Sequence, residues 1–353
     1  MADFTYDSLP GRVVFGVGCI DRLGDEVAKL GAKRALVVST PSGKARAEAA
    51  SQHLAGKIAG LHAGAVMHVP VATARAAVDE ARRVDADCVV AIGGGSPIGL
   101  AKAIALELGL PIVAVPTTYA GSEMTPYYGL TEGGLKRTGR DARVLPRTTI
   151  YDPALTVDLP PRTSAASGMN AIAHAVEALY AADRNPLVSR LAEAAIRDLA
   201  SSLPIVVRAP KNLEARSTAL NGAWLASGTL GAVGMALHHK LCHTLGGTFN
   251  LPHAETHAVV LPHAAAYNAK AAPEAMTAVA QALGAPEAAT GLHDLARTIG
   301  APLSLRDLGL RESDLDRAAA LALTHPYPNP RPLAETAIRA LLDDAFHGRR
   351  PRV

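Results

Sequence analysis

Residues 91–106, AIGGGSPIGLAKAIAL, join a short apolar run to a helical pattern through three consecutive glycines. Glycines let a ligand approach the backbone closely, and Ser96 and Pro97 suit the cap and the first turn of a helix. A helix that begins directly after such a turn points its positive end at it, which favours an anion. The stretch therefore predicts a strand–turn–helix unit that binds a phosphate or pyrophosphate, unless the glycines only make a tight turn. The residues expected to bind it are Gly93, Gly94, Gly95 and Ser96.

The spacing of these glycines differs from the usual dinucleotide fingerprint. The third glycine of GxGxxG is displaced by one residue, to Gly99, and the unit follows the fourth predicted strand instead of the first. A second loop, PTTYAGSEMTP (116–126), follows the next strand and offers hydroxyls to ribose or phosphate oxygens. Two such loops on adjacent strand ends favour a nucleotide cleft. The candidates in the second loop are Thr117, Thr118, Tyr119 and Ser122, with a packing role as the alternative for Tyr119.

The turn after the second predicted strand bears on the choice of cofactor. It reads STPSGK (39–44) and lacks the acidic residue that selects NADH by binding the ribose 2′-hydroxyl. Ser39 and Thr40, together with Lys44, tolerate a 2′-phosphate. NADH and NADPH therefore both remain open as the cofactor.

Short apolar runs alternate with helical patterns over the first 158 residues, and the rest is helical. The predicted strands are 12–15, 35–39, 65–69, 88–92, 112–115 and 149–151, with helices such as 20–30 and 72–84 between them. The later helices are predicted over 164–182, 186–203, 213–226, 229–245, 257–270, 273–283, 288–299, 312–324 and 333–346. This pattern indicates an α/β nucleotide-binding domain with a parallel sheet, residues 1–158, followed by an all-helical catalytic domain, residues 159–353.

Histidines crowd into one stretch of the helical part. Of the thirteen histidines, those at 238, 239, 243, 253 and 257 lie in HHKLCHTLGGTFNLPHAETHAVVLPH (238–263), which His263 closes. His239 and His243 are four residues apart in a predicted helix that stops at two glycines, 246 and 247, so they share a face. Pro252 begins a new turn that presents His253 near the next helix start. The cluster predicts the wall of a polar site, although any single histidine can belong to the core.

The helix within SGMNAIAHAVEALY (167–180) completes the set. Asn170 and His174 are four residues apart and share a face. With His239 and His253 they make one amide and three imidazoles. One carboxylate with three histidines would suit iron or zinc, but a neutral amide supplies no charge to hold the cation. Asn170 therefore weakens the expectation of a metal.

The order of several motifs resembles that of a known family. GGGSPIGLAKAIAL, PTTYAGSEMT, IYDPALTVDLP, SGMNAIAHAVEALY, HHKLCHTLGG, PHAETHAVVLPH and NPRP, which span 93–332, resemble the iron-containing alcohol dehydrogenase family in its maleylacetate reductase branch. The resemblance implies the architecture shared with dehydroquinate synthase, with an active site between the two domains. It maps the family's metal ligands onto positions 170, 174, 239 and 253, where Asn170 replaces the family's Asp, as in metal-independent reductases. It further implies reduction of maleylacetate to 3-oxoadipate by NADH or NADPH, in bacterial breakdown of aromatic compounds.

The histidines suit a reduction on independent chemical grounds. Hydride addition to a ketone leaves an alkoxide, which a metal or placed proton donors must stabilise and protonate. Imidazole titrates near neutral pH, so His243 is expected to donate the proton, while His239, His253 and His174 shape the pocket. No metal is expected. An Asp without a metal would repel a substrate that carries two carboxylates, and Asn170 in its place removes that repulsion. Candidate partners for the substrate carboxylates are Arg331 and Lys136, unless Arg331 caps a helix or faces solvent and Lys136 lies on an exposed hairpin.

Composition limits the remaining possibilities. A net charge of +3 gives no reason to expect nucleic acid, and no apolar run approaches a membrane span. The start shows no signal-peptide pattern and the three cysteines are isolated, so a cytoplasmic protein is expected, as a homodimer if it follows the family. The partner expected is a small dicarboxylic keto acid. Three alternatives stay open: a metal-dependent alcohol dehydrogenase with iron or zinc, a dehydroquinate synthase-like lyase, and an inert nucleotide-binding protein.

Overall fold

The computed structural model describes residues 4–133, 135–324 and 327–352, without the side chains of residues 135 and 136. The chain forms two compact units. One comprises Leu9–Leu159, and the other comprises Pro160–Val353 together with Met1–Ser8. The first unit is α/β and the second is helical, so the predicted fold class is confirmed.

A six-stranded parallel sheet forms the centre of the α/β unit. Its strands are β1 Arg12–Phe15, β2 Ala35–Val38, β3 Ile58–His62, β4 Cys88–Gly93, β5 Ile112–Pro116 and β8 Thr148–Tyr151. They lie in the order β1-β8-β5-β4-β2-β3. The helices of this unit are α1 Leu23–Lys29, α2 Lys44–Ser51, α3 Val71–Arg83 and α4 Gly95–Leu108, and a hairpin pairs β6 Tyr127–Glu132 with β7 Leu135–Arg140.

The central strands are apolar on both faces because the sheet has a buried core on each side. Val89 and Ala91 of β4 belong to one core cluster, whereas Val90 and Ile92 belong to the other. Successive side chains of a strand point to opposite faces, so a strand covered on both sides needs apolar residues throughout. The central strands were predictable for that reason.

The third strand lies earlier than the sequence predicted. The predicted strand at 65–69 is wrong, and the chain pairs instead through β3 at Ile58–His62. His68 and Val69 have positive φ angles of 64° and 44°, which no extended strand can contain. Ala65 and Val69 are nevertheless buried against the core, and their apolar character is what resembled a strand. The true strand lies at the sheet edge and is only partly buried, so its apolar signal is weak.

Nine α-helices make up the described part of the helical unit. They are α5 Pro161–Tyr180, α6 Pro186–Arg208, α7 Leu213–Ala232, α8 Leu237–Phe249, α9 His253–Asn268, α10 Pro273–Leu283, α11 Ala288–Thr298, α12 Leu315–Ala322 and α13 Glu335–His347. Helix α5 is buried at every residue from Ser164 to Tyr180. It packs against α6, α7 and α9, which is the arrangement of a helix surrounded by others. Polar side chains on α5 are therefore enclosed, and those it carries have a structural or chemical role.

The helix predicted over 229–245 is in fact two. Helix α7 ends at Ala232, and α8 runs from Leu237 through both glycines to Phe249, where Asn250 ends it with a positive φ of 56°. The break is held by carboxylates from elsewhere in the unit. The Gly234 amide donates to Asp183 over 3.0 Å, and the amide of Ala236 donates to a carboxylate of α5. Such tertiary caps leave no mark on local spacing. Among the described residues, no helix is both long and apolar enough to cross a membrane.

Candidate active site

Three strand ends gather the predicted nucleotide-binding residues at one edge of the sheet. Strands β5, β4 and β2 are adjacent and parallel, so their carboxyl ends lie side by side. The Thr117 amide donates to the Gly93 carbonyl over 3.0 Å, which joins the Thr-rich loop to the glycine turn. The chain builds outward from β2 to β3 and then returns to β4 on the other side of β2. Crevices at such switch points are where α/β sheets bind ligands.

Helix α4 begins two residues earlier than predicted. Gly95 is its first residue and Gly94 its N-cap, without a hydrogen bond from a capping side chain. The expectation that Ser96 caps the helix and Pro97 is its first residue is therefore wrong. The free amides at the start of α4 are left for another acceptor, which suits an anion at the helix N-terminus.

The glycine turn has no room for a side chain at Gly93 and Gly94 but has open space at Gly95. A Cβ at Gly93, whose φ is 144°, would lie 2.7 Å from the Pro97 ring, and one at Gly94 would lie 2.9 Å from Thr118 Oγ1. A Cβ at Gly95 would have no heavy atom within 4 Å apart from its chain neighbours and the backbone of its own helix. The Thr118 hydroxyl is buried and has no hydrogen-bond partner among the described residues. The turn thus offers an open cradle beside an unsatisfied hydroxyl, which fits the phosphates of a nicotinamide nucleotide.

The other predicted nucleotide residues differ in how far they can reach a ligand. Ser39 and Tyr119 are fully buried. The Thr40 side chain accepts a hydrogen bond from the Gly43 amide at 3.0 Å and is partly exposed. Ser122 is also partly exposed. Burial favours the packing role for Tyr119, and the partly exposed hydroxyls remain the candidates for ligand contact.

Six imidazoles meet where helices α5, α8 and α9 adjoin in the helical unit. His174 stacks on His239 with ring centroids 5.2 Å apart, and His243 lies 6.0 Å from His239. His253 and His257 have centroids 4.4 Å apart. The shared helical faces predicted from the four-residue spacings do bring these rings together. The full set is His174, His238, His239, His243, His253 and His257.

Two residues of this cluster that the sequence did not single out are His257 and Glu177. His257 lies between His239 and His253, with centroids 5.0 and 4.4 Å away. Glu177 is fully buried on α5, and its carboxylate lies 2.7 Å from His239 Nδ1. A signal for Glu177 existed, because positions 170, 174 and 177 follow one helical face.

A smaller group within the cluster has the composition of a metal site. Ligand atoms of His238, Cys242 and His257 all lie within 4.8 Å of one another. His238 Nε2 and His257 Nδ1 already share a hydrogen bond of 2.9 Å. Burial also raises the pKa of the Cys242 thiol well above its ordinary value, which opposes the thiolate that a metal needs. The contacts therefore describe a hydrogen-bonded histidine pair against a buried thiol.

The positions onto which the sequence mapped metal ligands lack the features of the smaller group, as far as the structure describes the chain. Among the described residues, the three ligand atoms that lie within 4.8 Å of one another belong to the group just described, and not to His174, His239 and His253. Asn170 brings a neutral amide where a carboxylate would supply charge. The nearby carboxylate of Glu177 is already bonded to His239 and to backbone amides. The set offers groups for hydrogen bonding, and Asn170 supplies no charge toward a cation.

Burial divides the histidines into neutral and accessible ones. Burial, followed by the neighbouring imidazoles, lowers the pKa of His174 and His257 well below the ordinary value. Burial likewise lowers the pKa of His238 to about 3. These three rings are therefore neutral at pH 7. His243 is exposed in the unit and His253 is partly exposed, so both can exchange protons with solvent.

His263 gives the unit a measurable pH dependence. Burial lowers its pKa to about 4, although Asp344 opposes the shift. The unfolded imidazole titrates near 6.5, so protons favour the unfolded state as the pH falls from about 6.5 to about 4. Between pH 7 and pH 4, we expect the wild type to lose about 3 kcal/mol more stability than the His263→Gln variant. Urea unfolding at several pH values measures the free energy of unfolding of both proteins. The same loss of free energy in wild type and His263→Gln between pH 7 and pH 4 would contradict the prediction.

The two residues predicted to bind substrate carboxylates have different outcomes. The Arg331 guanidinium stacks 4.2 Å over the Tyr267 ring, and its Nη1 donates to the Tyr267 carbonyl over 3.3 Å. This packing is in keeping with the alternative that the sequence left open, and a substrate contact for Arg331 stays a prediction. The side chain of Lys136, on β7, lies outside the described residues.

Comparison with known proteins identifies the family of the chain. Residues 10–153 match the family model of iron-containing alcohol dehydrogenase, and residues 164–346 match the C-terminal model of the same family. Maleylacetate reductase from Sphingobium indicum is 56% identical over 348 residues, 99% of each chain. The crystal structure of maleylacetate reductase from Agrobacterium tumefaciens is 51% identical, with a TM-score of 0.95 over 99% of this chain and 100% of that one.

A more distant structure bears on the cofactor. Sulfoacetaldehyde reductase from Bifidobacterium kashiwanohense, crystallised with NAD+, is 25% identical, with a TM-score of 0.88 over 97% of this chain and 98% of that one. The chain belongs to the iron-containing alcohol dehydrogenase family, a family of nicotinamide-dependent oxidoreductases.

Proposed function

We propose that the protein is a maleylacetate reductase that forms 3-oxoadipate with NADH or NADPH and without a divalent metal. Reductases of that name are 51–56% identical to this chain over nearly its whole length. The observation that carries the proposal is a site of clustered imidazoles that holds Asn170 where the family's metal-binding Asp would stand. In bacteria this reaction belongs to the breakdown of aromatic compounds.

The substrate and the product define what the site has to do. Maleylacetate has a carbon–carbon double bond conjugated with its ketone, and 3-oxoadipate keeps the ketone but lacks that double bond. The ketone is therefore not the group reduced, contrary to the expectation from the sequence. Hydride from the nicotinamide adds to the carbon β to the ketone, and the electron pair of the double bond moves toward the ketone oxygen as an enolate. A proton then adds to the carbon next to the ketone.

The imidazoles suit both demands of this reaction. Hydrogen-bond donors stabilise an enolate oxygen as its charge develops, and a titratable group supplies the proton. We assign the proton to His243, because it is exposed in its unit and can be reprotonated by water. His239, His253 and His174 form the wall, and Asn170 adds an amide that can donate without repelling a dicarboxylate.

The absence of a metal requirement is proposed from the chemistry of the residues. The Asn170 amide and a protonated imidazole can stabilise a negative oxygen by donating hydrogen bonds, whereas a divalent cation needs converging lone pairs and compensating charge, which a neutral amide does not supply. The buried carboxylate nearby is saturated by other donors. A dependence on iron or zinc would indicate the metal-dependent alcohol dehydrogenase that the sequence left open.

The glycine turn gives a prediction for cofactor binding. We expect Gly95→Val to raise the Kd for NAD(P)H by about tenfold or more with little change in Tm, because the new side chain enters the cradle, where its Cβ lies more than 4 Å from heavy atoms beyond its chain neighbours and its own helix backbone. Gly94→Val is the matched control, since its Cβ would meet Thr118 and should lower Tm as well. Fluorescence titration and calorimetry measure the two effects. If Gly95→Val and the wild type bind the cofactor with equal affinity, the glycine turn is not part of the binding site.

The reaction itself is tested by following both substrates. Purified protein is incubated with maleylacetate and NADH or NADPH, and the product is identified by chromatography. The proposal requires one 3-oxoadipate for each nicotinamide oxidised. Oxidation of simple alcohols without turnover of maleylacetate would favour an alcohol dehydrogenase instead.

We also propose that the enzyme works in the cytoplasm as a homodimer, as the resemblance implied. The three cysteines are free thiols, which suits a reducing compartment. Light scattering on the purified protein measures the oligomeric state, and a monomer would contradict this part of the proposal.

A further inference from the structure

Glu177 collects several hydrogen bonds at one buried carboxylate. Its Oε2 lies 2.7 Å from His239 Nδ1 and accepts from the Ala236 amide over 2.9 Å. Its Oε1 accepts from the His238 amide over 2.8 Å and from the Tyr180 hydroxyl over 3.2 Å. The side chain is fully buried. A carboxylate with this many donors is held in one position.

The position of Glu177 favours a carboxylate. It accepts hydrogen bonds from the Ala236 and His238 amides, which are unsatisfied donors at the start of α8, where a negative charge is favoured. Glu177 is therefore placed to act as an acceptor for these amides and for His239.

A fixed acceptor at Nδ1 decides how His239 presents its other nitrogen. With Nδ1 protonated toward Glu177, Nε2 is left to face the other imidazoles. His239 Nε2 is buried and has no hydrogen-bond partner among the described residues. The ring stacks against His174 and lies 5.0 Å from His257. Buried polar atoms are normally hydrogen-bonded, so this nitrogen marks where a ligand atom is expected.

We propose that Glu177 is a positioning residue of the reaction, which acts by holding His239 in the Nδ1-protonated form with Nε2 directed at the substrate. The inference rests on the proposed function of the imidazole site. Carboxylates behind a catalytic imidazole elsewhere fix its tautomer in this way, and removing that acceptor lowers turnover while leaving the geometry intact. The competing explanation is that Glu177 only caps α8.

A double-mutant cycle separates the two explanations. We expect Glu177→Gln to lower kcat for maleylacetate by about 100-fold or more with the KM for NAD(P)H unchanged. In a His239→Asn background, the same change should cost less than about threefold, because the partner through which it acts is gone. An equal loss in both backgrounds, or wild-type kcat in Glu177→Gln, would overturn the inference.

Asp183→Asn is the matched control. Asp183 accepts from the Gly234 amide over 3.0 Å in the same connection between α7 and α8, and no contact described here joins it to an imidazole. We expect this variant to lose stability without a comparable loss of kcat. A cap-only role for Glu177 predicts that the two variants behave alike.

A spectroscopic measurement needs no substrate and does not depend on Glu177→Gln folding. In protein labelled with ¹⁵N-histidine, the His239 signals, assigned from their loss in His239→Asn, should show a protonated Nδ1. An unprotonated Nδ1 in the wild type would overturn the inference whatever the variants do. Failure of the wild type to reduce maleylacetate would instead overturn the proposed function and leave this measurement standing.

Discussion

Replacing His243 with Asn lowers kcat for maleylacetate by about 100- to 1,000-fold, within the usual contribution of a general acid, and leaves the KM for NAD(P)H near that of the wild type. His243 projects from α8 one turn after His239, with ring centroids 6.0 Å apart, and it is exposed in its unit. The buried rings of His174, His238 and His257 are neutral because burial lowers the pKa of each, so they cannot supply a proton as readily. Asn keeps a polar side chain of similar size but cannot transfer a proton.

Two comparisons make this result specific to His243. His53→Asn removes a partly exposed histidine in the α/β unit that pairs with Asp21, and we expect it to keep kcat within about twofold because exposed ion pairs contribute little. His253→Asn should cost less than His243→Asn, since His253 is less accessible to solvent. Steady-state kinetics of the three variants measures the order. A larger loss in His253→Asn would move the proton donor to that residue.

Replacing Lys102 with Ala destabilises the α/β unit by about 3–5 kcal/mol, the usual cost of removing one partner from a buried polar network. Lys102 lies on α4 and is fully buried. Its ammonium donates to the Thr125 carbonyl over 2.8 Å, to the Thr125 hydroxyl over 3.0 Å and to the Tyr127 carbonyl over 2.7 Å. Burial lowers the pKa of Lys102 to about 7, but three acceptors require the three N–H groups of the charged form.

We expect the loss of Lys102 to weaken cofactor binding at the Thr-rich loop as well. Thr125 is at the end of the Thr-rich loop, and α4 begins at the glycine turn, so Lys102 ties the two together. We therefore expect Lys102→Ala to raise the KM for NAD(P)H as well as to lower Tm. Lys33→Ala is the control, because Lys33 is an exposed lysine of the same unit. Calorimetry measures the Tm of both variants. A Tm for Lys102→Ala within about a degree of the wild type would contradict the predicted destabilisation.

The fold was predictable where local pattern and tertiary structure agree. Buried parallel strands such as β4 are apolar throughout, and their Gly-rich turn into α4 is visible in the sequence. The prediction failed at β3, where an edge strand has only weak apolar character and the apolar residues 65–69 pack on the core with left-handed backbone at His68 and Val69. Apolar character alone does not distinguish these two situations.

Which candidate site residues lie together was predictable where they share a helix. Spacings of four brought Asn170 together with His174, and His239 together with His243, on common helical faces. Glu177 was missed because its partners are amides at the start of α8, a helix whose start was itself misplaced. That start is fixed by carboxylates of Asp183 and Glu177, about fifty to sixty residues away in sequence. Contacts at that separation follow from packing, which local periodicity does not encode.

We propose that this imidazole site reduces maleylacetate without a metal. The most direct test is the rate of NADH oxidation with maleylacetate by protein that has been treated with EDTA and assayed for iron and zinc, beside an Asn170→Asp variant treated in the same way. We predict that the treated wild type turns over at its full rate with far less than one metal ion per chain. Activity that disappears on treatment and returns only with iron or zinc would contradict the account.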